Sequence, residues 1–301
     1  MEKIGIVMKR IAFLAVGAYL LGSSVAMAEG LTEGEPPCCD WRGFYFGGYV
    51  GAGQGDASST FTDLQTQTFR QTVPGTTVTQ VFTDNGRGTL SGEVSGAQAD
   101  LIVGYNLPLG SRFLVGIQGE GTPWSTYTLK TSGQRTSEQT QTTTTVAGGV
   151  TTVTTASASA SSTFDLNDEL DSMVAFVGRA GVLVSPNVLI YGIGGVVAGD
   201  FVVPDSENPR GGERETWEVG YTVGGGGEVK LNCAWSLRAE YRFYHFDYDR
   251  SNSSTDSQTQ VTGATTFTND NSFSRHSSTE VDLHTGKIGV VYRFCGILGN
   301  C

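Results

Sequence analysis

Near the end of the chain, Glu280–Phe294 reads Glu-Val-Asp-Leu-His-Thr-Gly-Lys-Ile-Gly-Val-Val-Tyr-Arg-Phe. Successive side chains of a β-strand point to opposite faces, so this stretch presents two rows. A strand that crosses a membrane needs about 9 to 11 tilted residues, apolar toward lipid and small or polar toward the interior. The stretch therefore predicts a barrel-closing strand. Its lipid-facing row is Ile288, Val290, Tyr292 and Phe294, and its inner row is Thr285, Lys287, Gly289, Val291 and Arg293.

The same alternation recurs along the chain. It predicts eight strands, at about 43–53, 98–107, 112–124, 172–184, 188–199, 216–231, 235–246 and 281–294. Short turns at 108–111, 185–187 and 232–234 alternate with long polar connections at 54–97, 125–171, 200–215 and 247–280. This order is typical of single-chain outer-membrane barrels. We predict an all-β protein, an eight-stranded antiparallel transmembrane β-barrel with long extracellular β-hairpin loops.

The N-terminus predicts export. Met8, Lys9 and Arg10 precede the apolar run 11–22, and Ala26-Met27-Ala28 is a small-residue cleavage pattern; either Met1 or Met8 could be the start. We divide the chain into a signal peptide (1–28, cleaved), a periplasmic N-terminal segment (29–42), the outer-membrane β-barrel (43–294) and a Cys-containing periplasmic tail (295–301). The predicted location is the cell outer membrane, and the predicted partners are its lipid, lipopolysaccharide and the barrel-assembly machinery.

Composition agrees with one β-rich domain. The chain has 42 Gly and 8 Pro, and it shows almost no helical periodicity. A net charge of -11, without a basic cluster beyond the signal peptide, predicts no nucleic-acid binding.

The inner rows carry charges of both signs. Because eight strands enclose a space that side chains fill, we predict a mutually neutralising charge network inside the barrel. Lining of an ion path is the alternative function for the same charges. The predicted members are Glu120, Arg179, Glu228, Lys230, Arg238, Glu240, Arg242 and Lys287.

Three loop segments place Val before a Gly-containing turn between Thr-rich arms, at 71–79, 144–152 and 260–268. Thr favours strands and Gly favours tight turns, which predicts three β-hairpin tips. For Thr145–Ser162 the sequence leaves a disordered, low-complexity loop equally open. Exposed ribbon edges would suit self-association or contacts with host and other cell surfaces.

Trp41–Gly51, Trp-Arg-Gly-Phe-Tyr-Phe-Gly-Gly-Tyr-Val-Gly, resembles the first strand of the small porin-family barrels, the OmpA-like outer-surface immunogenic proteins of Gram-negative bacteria. Leu237–Phe243 and Gly289–Phe294 are similar to that family's last two strands. The resemblance implies a surface or structural protein with no catalytic residue, and for a few members haem binding. The family usually stops at the terminal Phe, whereas Cys295–Cys301 follows here.

The five cysteines all fall at the predicted periplasmic rim, in an oxidising compartment. The first and last strands are neighbours in a closed barrel, so we predict a disulfide across this seam and favour it over a metal site, since no His accompanies the cluster. The candidates are Cys38, Cys39, Cys233, Cys295 and Cys301, and the pairing stays open.

An enzyme is the third interpretation, after a surface protein and after a small-solute channel or haem-binding receptor. His245, Asp247 and Ser251 are the residues to consider for a lipid A-modifying activity. A barrel-type lipid A deacylase, however, has Ser two residues after its His, where this chain has Asp247. We predict no enzyme, no metal and no cofactor; His276 and His284 are the candidates if haem binds.

Overall fold

A computed structural model describes residues 40–205 and 212–294. These residues form a single antiparallel sheet of nine strands and no helix. The strands are β1 (Gly43–Val73), β2 (Thr76–Leu109), β3 (Phe113–Ser125), β4 (Tyr127–Ala147), β5 (Val150–Ser185), β6 (Val188–Asp205), β7 (Gly212–Lys230), β8 (Trp235–Thr262) and β9 (Thr265–Arg293).

The sheet closes into a ring through the pairing of β1 with both β2 and β9. Strands β3 and β4 occupy one position of this ring: β3 pairs with the lower parts of β2 and β5, and β4 pairs with their upper parts. The break between them is the single residue Thr126, whose amide still donates a hydrogen bond to the Ala97 carbonyl (2.9 Å). The predicted all-β barrel is confirmed, with nine strands in eight ring positions instead of eight unbroken strands.

Three of the four predicted long connections (54–97, 125–171 and 247–280) are hairpins that continue the barrel strands, whereas the tip of the fourth, 206–211, lies outside the described residues. The three tips are tight turns at 74–75, 148–149 and 263–264, and Gly75, Gly148, Gly149 and Gly263 adopt positive φ there (56° to 81°). Gly is the residue that adopts this conformation without steric cost. The three predicted hairpin tips are confirmed, including the one within Thr145–Ser162.

The three hairpins rise to one height above the barrel. A row of paired residues crosses six strands at one level: Thr163, Gln134, Thr89, Thr60, Ser278 and Asp249. Beyond this row each arm continues for 13 residues (61–73 and 76–88, 135–147 and 150–162, 250–262 and 265–277). We call these six arms the crown. Thirteen residues correspond to about 40 Å along the strand.

The outer surface of the ring below the crown is apolar. Val219, Phe113 and Ile288 expose 69%, 62% and 61% of their surface, whereas Arg242 and Glu228 on the inner face are fully buried. A closed ring with its apolar face outward satisfies every backbone hydrogen bond while it contacts lipid. This is the architecture of outer-membrane proteins, as predicted from the alternation.

No helix capable of spanning a membrane is present among the described residues.

Candidate functional site: barrel interior and crown

The lower half of the barrel interior is organised by Glu228, on β7. Its Oε2 accepts hydrogen bonds from Arg238 Nε (2.6 Å) and Arg179 Nη2 (3.1 Å). Its Oε1 accepts from Arg293 Nη2 and from Ser236 Oγ, both at 2.6 Å. One carboxylate therefore links arginines from β5, β8 and β9, so it ties opposite parts of the wall together.

The upper half contains more carboxylates than cations. Arg242 Nη2 contacts Glu120 (2.6 Å) and Glu240 (2.5 Å). Lys287 Nζ lies 2.8 Å from Asp100 Oδ2 and 3.6 Å from Glu120 Oε2. Every one of these groups is buried. In such surroundings charges are tolerated only when they are paired, and here each faces a charge of opposite sign.

Gln118 and two tyrosines join the two halves. Gln118 Oε1 accepts from Arg238 Nη1 (2.9 Å) and from the Tyr45 hydroxyl (2.7 Å), while its Nε2 donates to Glu120 (2.7 Å). Tyr191 donates to Glu240 (2.8 Å), and its ring lies under the Arg179 guanidinium, 4.1 Å from the ring centroid. The result is one continuous network.

The small residues of the wall make room for these rings. A Cβ at Gly104 would overlap the ring of Tyr45, and a Cβ at Gly289 would overlap the ring of Tyr49. Both glycines therefore belong to the network, although neither has a side chain.

Apolar layers cover the network at both ends. Above it Phe201 and Phe246 are buried and meet edge to face, with 5.3 Å between ring centroids. Below it Trp41 is buried; its Nε1 donates to the Pro186 carbonyl (3.0 Å), and Arg293 lies over its ring. Buried side chains thus occupy the interior of the described barrel from Trp41 up to Phe201 and Phe246.

Seven of the eight residues predicted for the charge network lie in it. The eighth, Lys230, is the last residue of β7, half-buried, with Nζ 4.6 Å from the centroid of the Trp41 ring at the lower rim. It lies at the lower rim because β7 ends there, two residues beyond Glu228.

Sequence reasoning missed Asp100, Gln118, Tyr45 and Tyr191 as members, and it placed Arg293 on the inner row without assigning it to the network. Asp100 carried a usable signal, since a carboxylate in the middle of a membrane strand must face inward and find a cation. The tyrosines carried none, because an aromatic residue in such a strand suits either face.

The predicted barrel-closing row faces outward on β9. Ile288, Val290 and Phe294 are exposed, and Tyr292 packs against Phe46, Trp235 and Phe294 in an aromatic cluster at the lower rim.

The crown has its own ion pairs, which join neighbouring strands. Arg135 on β4 donates to Asp63 (2.6 Å) and Asp84 (3.1 Å), which belong to β1 and β2. The hydrogen bond with Asp63 raises the pKa of Arg135. This contact links the β1–β2 hairpin to the β4–β5 hairpin.

A second polar group lies where the crown meets the barrel. Arg250 contacts Glu218 (3.1 Å) and its guanidinium covers the ring of Tyr248, 4.7 Å from the centroid. Burial raises the pKa of Tyr248 to about 12. Burial also raises the pKa of Asp168, against the opposing effect of Arg250.

The histidines lie outside the interior. His245 Nδ1 is 2.7 Å from Asp282 Oδ1 and 3.9 Å from Glu280 Oε1, on the outer face just above the apolar band. These three side chains are the group among the described residues whose atoms could hold a metal ion. His284 bonds the Tyr241 hydroxyl (2.6 Å) on the same outer face.

The residues considered for catalysis do not come together. His245 pairs with Asp282 and not with Asp247, and Ser251 bonds His276 (2.9 Å) at an exposed position of the crown. The two histidines considered for haem, His276 and His284, lie on β9 at different heights, each engaged by a hydroxyl group of β8.

Of the cysteines, Cys233 lies in the turn between β7 and β8 and takes part in a disulfide bond. Cys38, Cys39, Cys295 and Cys301 lie outside the described residues, as do the signal peptide and the tail, so the disulfide pairing across the seam stays a prediction.

Comparison with known proteins finds no matching family profile and no matching curated sequence. Among solved structures, the chain is similar to Ail, the attachment invasion locus protein of Yersinia pestis (12% identity, 80% of this chain and 99% of Ail, TM-score 0.27). It is also similar to OprG of Pseudomonas aeruginosa (12%, 80% and 97%, TM-score 0.37) and to the protease OmpT of Escherichia coli (7%, 82% and 97%, TM-score 0.27). TM-scores of this size do not establish a shared fold, so the barrel assignment rests on the strand pairing.

Proposed function

We propose that the protein is a surface-interaction protein of the outer membrane, in which a filled barrel anchors the crown above the outer leaflet. The observation that carries the proposal is the contrast between the two parts. Below, a charge network between two apolar layers fills the interior. Above, six strands continue for 13 residues into solvent.

The filled interior favours an anchor over the alternative, a small-solute channel. A solute would have to displace Trp41 or the pair Phe201 and Phe246, and then separate buried charges from their partners. Breaking a single buried ion pair costs about 3 to 5 kcal/mol.

The chemistry of the crown suits contact with another macromolecule. Its arms are rich in Thr, Ser and Gln, and most of the tips are exposed. Hydroxyl and amide groups on a stiff sheet offer many hydrogen bonds without the ordering cost of a flexible loop. Neither lipid nor the barrel uses this surface.

The test removes the crown and keeps the barrel. Deleting 61–88, 135–162 and 250–277, and joining each paired position by Asn-Gly, preserves the register because Thr60 pairs with Thr89, Gln134 with Thr163, and Asp249 with Ser278. The trimmed protein should still show the heat-dependent gel shift of a folded barrel. We expect cells that display it to lose adhesion and autoaggregation; unchanged adhesion and autoaggregation would contradict the proposal.

A further inference from the structure

The crown is an open sheet, and its two free edges are unlike. The pairing of β5 with β6 ends at Glu169 and Val202, and the pairing of β7 with β8 ends at Gly220 and Phe246. Above these pairs the order of the sheet is β8, β9, β1, β2, β4, β5. Among the described residues, residues 150–168 of β5 therefore pair with β4 alone, and residues 247–262 of β8 pair with β9 alone. Each presents a row of backbone donors and acceptors to solvent.

The β5 edge lacks the features that normally protect an edge strand. Val150–Phe164 contains Thr, Ser, Ala, Val and a terminal Phe, with no charged residue, Pro or Gly. Natural edges are usually blocked by charges, Pro or bulges. The neighbouring arm continues the same character, since the whole segment 139–164 is free of charged residues.

The β8 edge is protected. Asp247, Asp249, Arg250 and Asp256 lie along it. Within the 13-residue arms, a strand that approached β8 (250–262) would meet Arg250 and Asp256, whereas one that approached β5 (150–162) would meet no charge. Below the arms both edges carry carboxylates, Asp247 and Asp249 on β8 and Asp165 and Asp168 on β5.

The charge of the protein itself selects the partner of the β5 edge. Two copies of a chain with a net charge of -11 repel each other, so a contact between them is favoured where the surface is neutral. The β5 edge is such a surface, and small uncharged side chains are compatible with an identical strand beside them. A charged partner would gain nothing from this edge.

Symmetry sets the direction of pairing. Two β5 strands in one membrane both run from tip to bilayer and could meet only in parallel. Two copies in opposing membranes meet antiparallel, the arrangement that a two-fold axis across the strands produces. Full overlap of Val150–Phe164 with itself places Ser157 at this axis.

We propose that the β5 edge, Val150–Phe164, pairs antiparallel with the same edge of a second copy on an opposing membrane, so that the protein holds two membranes together by β-augmentation. This rests on the proposed surface function and specifies its partner, a second copy of this chain.

The test uses the full-length protein in two-colour proteoliposomes, with vesicle tethering measured by fluorescence cross-correlation. Ser157→Lys with Ser159→Lys puts positive charges on the exposed β5 edge, and Ser157→Glu with Ser159→Glu puts negative ones there. We expect each variant alone to tether at least tenfold less than the wild type. Lys vesicles mixed with Glu vesicles should tether again, which a folding defect cannot reproduce.

The matched control places the same charge on the other edge. Ser253→Lys with Thr255→Lys on β8 should tether like the wild type. Wild-type tethering by the β5 Lys variant, no recovery in the Lys and Glu mixture, or an equal loss in the β8 control would each overturn the inference.

If the crown-trimmed protein alone fails to tether while the β5 variants tether normally, the surface function stands and this edge is not its basis. Equal tethering by the wild type and the trimmed protein, or none by the wild type, would overturn the inference, and equal tethering would remove the surface function as well.

Discussion

Glu228 is fully buried and, among the described residues, is the carboxylate that contacts Arg179, Arg238 and Arg293. On β7, Glu228 is the direct cross-strand neighbour of Arg238 on β8. Cross-strand neighbours of opposite charge stabilise a sheet, and here the same carboxylate also reaches two further strands. At the scale of single residues, this side chain has the largest expected effect.

Glu228→Gln should destabilise the folded barrel by about 3 to 5 kcal/mol, because three buried guanidinium groups lose their common counter-charge. Denaturant unfolding of the protein in lipid vesicles measures this change. Glu138→Gln, an equal change at an exposed position of β4, is the control and should stay within about 0.5 kcal/mol. Equal stability of the two variants would show that the network does not stabilise the barrel.

Tyr248 should titrate about two pH units above an ordinary tyrosine, because burial raises its pKa from 10.0 to about 12. Since the pKa is higher in the folded state, the folded protein holds this proton more tightly than the unfolded chain. The associated stability is complete below pH 10 and is lost as the pH rises from about 10 to about 12.

The measurement is the tyrosinate absorbance of wild type minus Tyr248→Phe across an alkaline titration. The difference should develop near pH 12 in the folded protein and near pH 10 in denaturant, where the ordinary value returns. A difference that develops near pH 10 in both conditions would mean that Tyr248 is not buried.

At the scale of elements, the hairpins depend on their tips. The β4–β5 hairpin turns at Gly148 and Gly149, with φ of 56° and 81°. Both central residues of this two-residue turn require the left-handed region, which Gly and Asn adopt and β-branched residues do not.

Gly149→Val should therefore fray this hairpin, at a cost of about 1 to 2 kcal/mol. Hydrogen exchange of peptides that cover 135–162 should become about tenfold faster, while peptides of the membrane-spanning rows should not change. Gly148→Asn serves as the comparison and should exchange like the wild type. Slow exchange in Gly149→Val would indicate that the crown, and not the turn, holds the hairpin.

At the scale of the whole molecule, the ring is closed and its interior is filled. Apolar layers at Trp41 and at Phe201 with Phe246 enclose a network whose members come from most strands of the ring. We expect a barrel filled in this way to leave no continuous path for ions.

The purified protein should therefore give no single-channel conductance in planar bilayers, and Trp41→Ala should not open it, because the charge network above the tryptophan remains in place. An open porin inserted in the same bilayers is the positive control. Stable conductance steps from the wild type would favour the channel interpretation over the anchor.

The barrel could be predicted from local patterns in the amino-acid sequence. Alternation such as that of Leu237–Phe243 assigns each side chain to lipid or interior, and the order of short and long connections assigns each turn to a side of the membrane. The sequence also located the hairpin tips, because Gly between Thr-rich arms favours a tight turn between two strands. These are local properties, each readable within about ten residues.

The pairing of the charges and the position of the free edges depend instead on contacts between distant parts of the chain. Glu228 and Arg179 are 49 positions apart, and Arg242 and Glu120 are 122 apart, so no local pattern could pair them. Lys230 shares the inner row of its strand with Glu228, yet it lies at the rim because the strand ends there. The exposed β5 edge arises because β6 and β7 are shorter than their neighbours; strand lengths around a ring are a property of the closed sheet and not of any one segment.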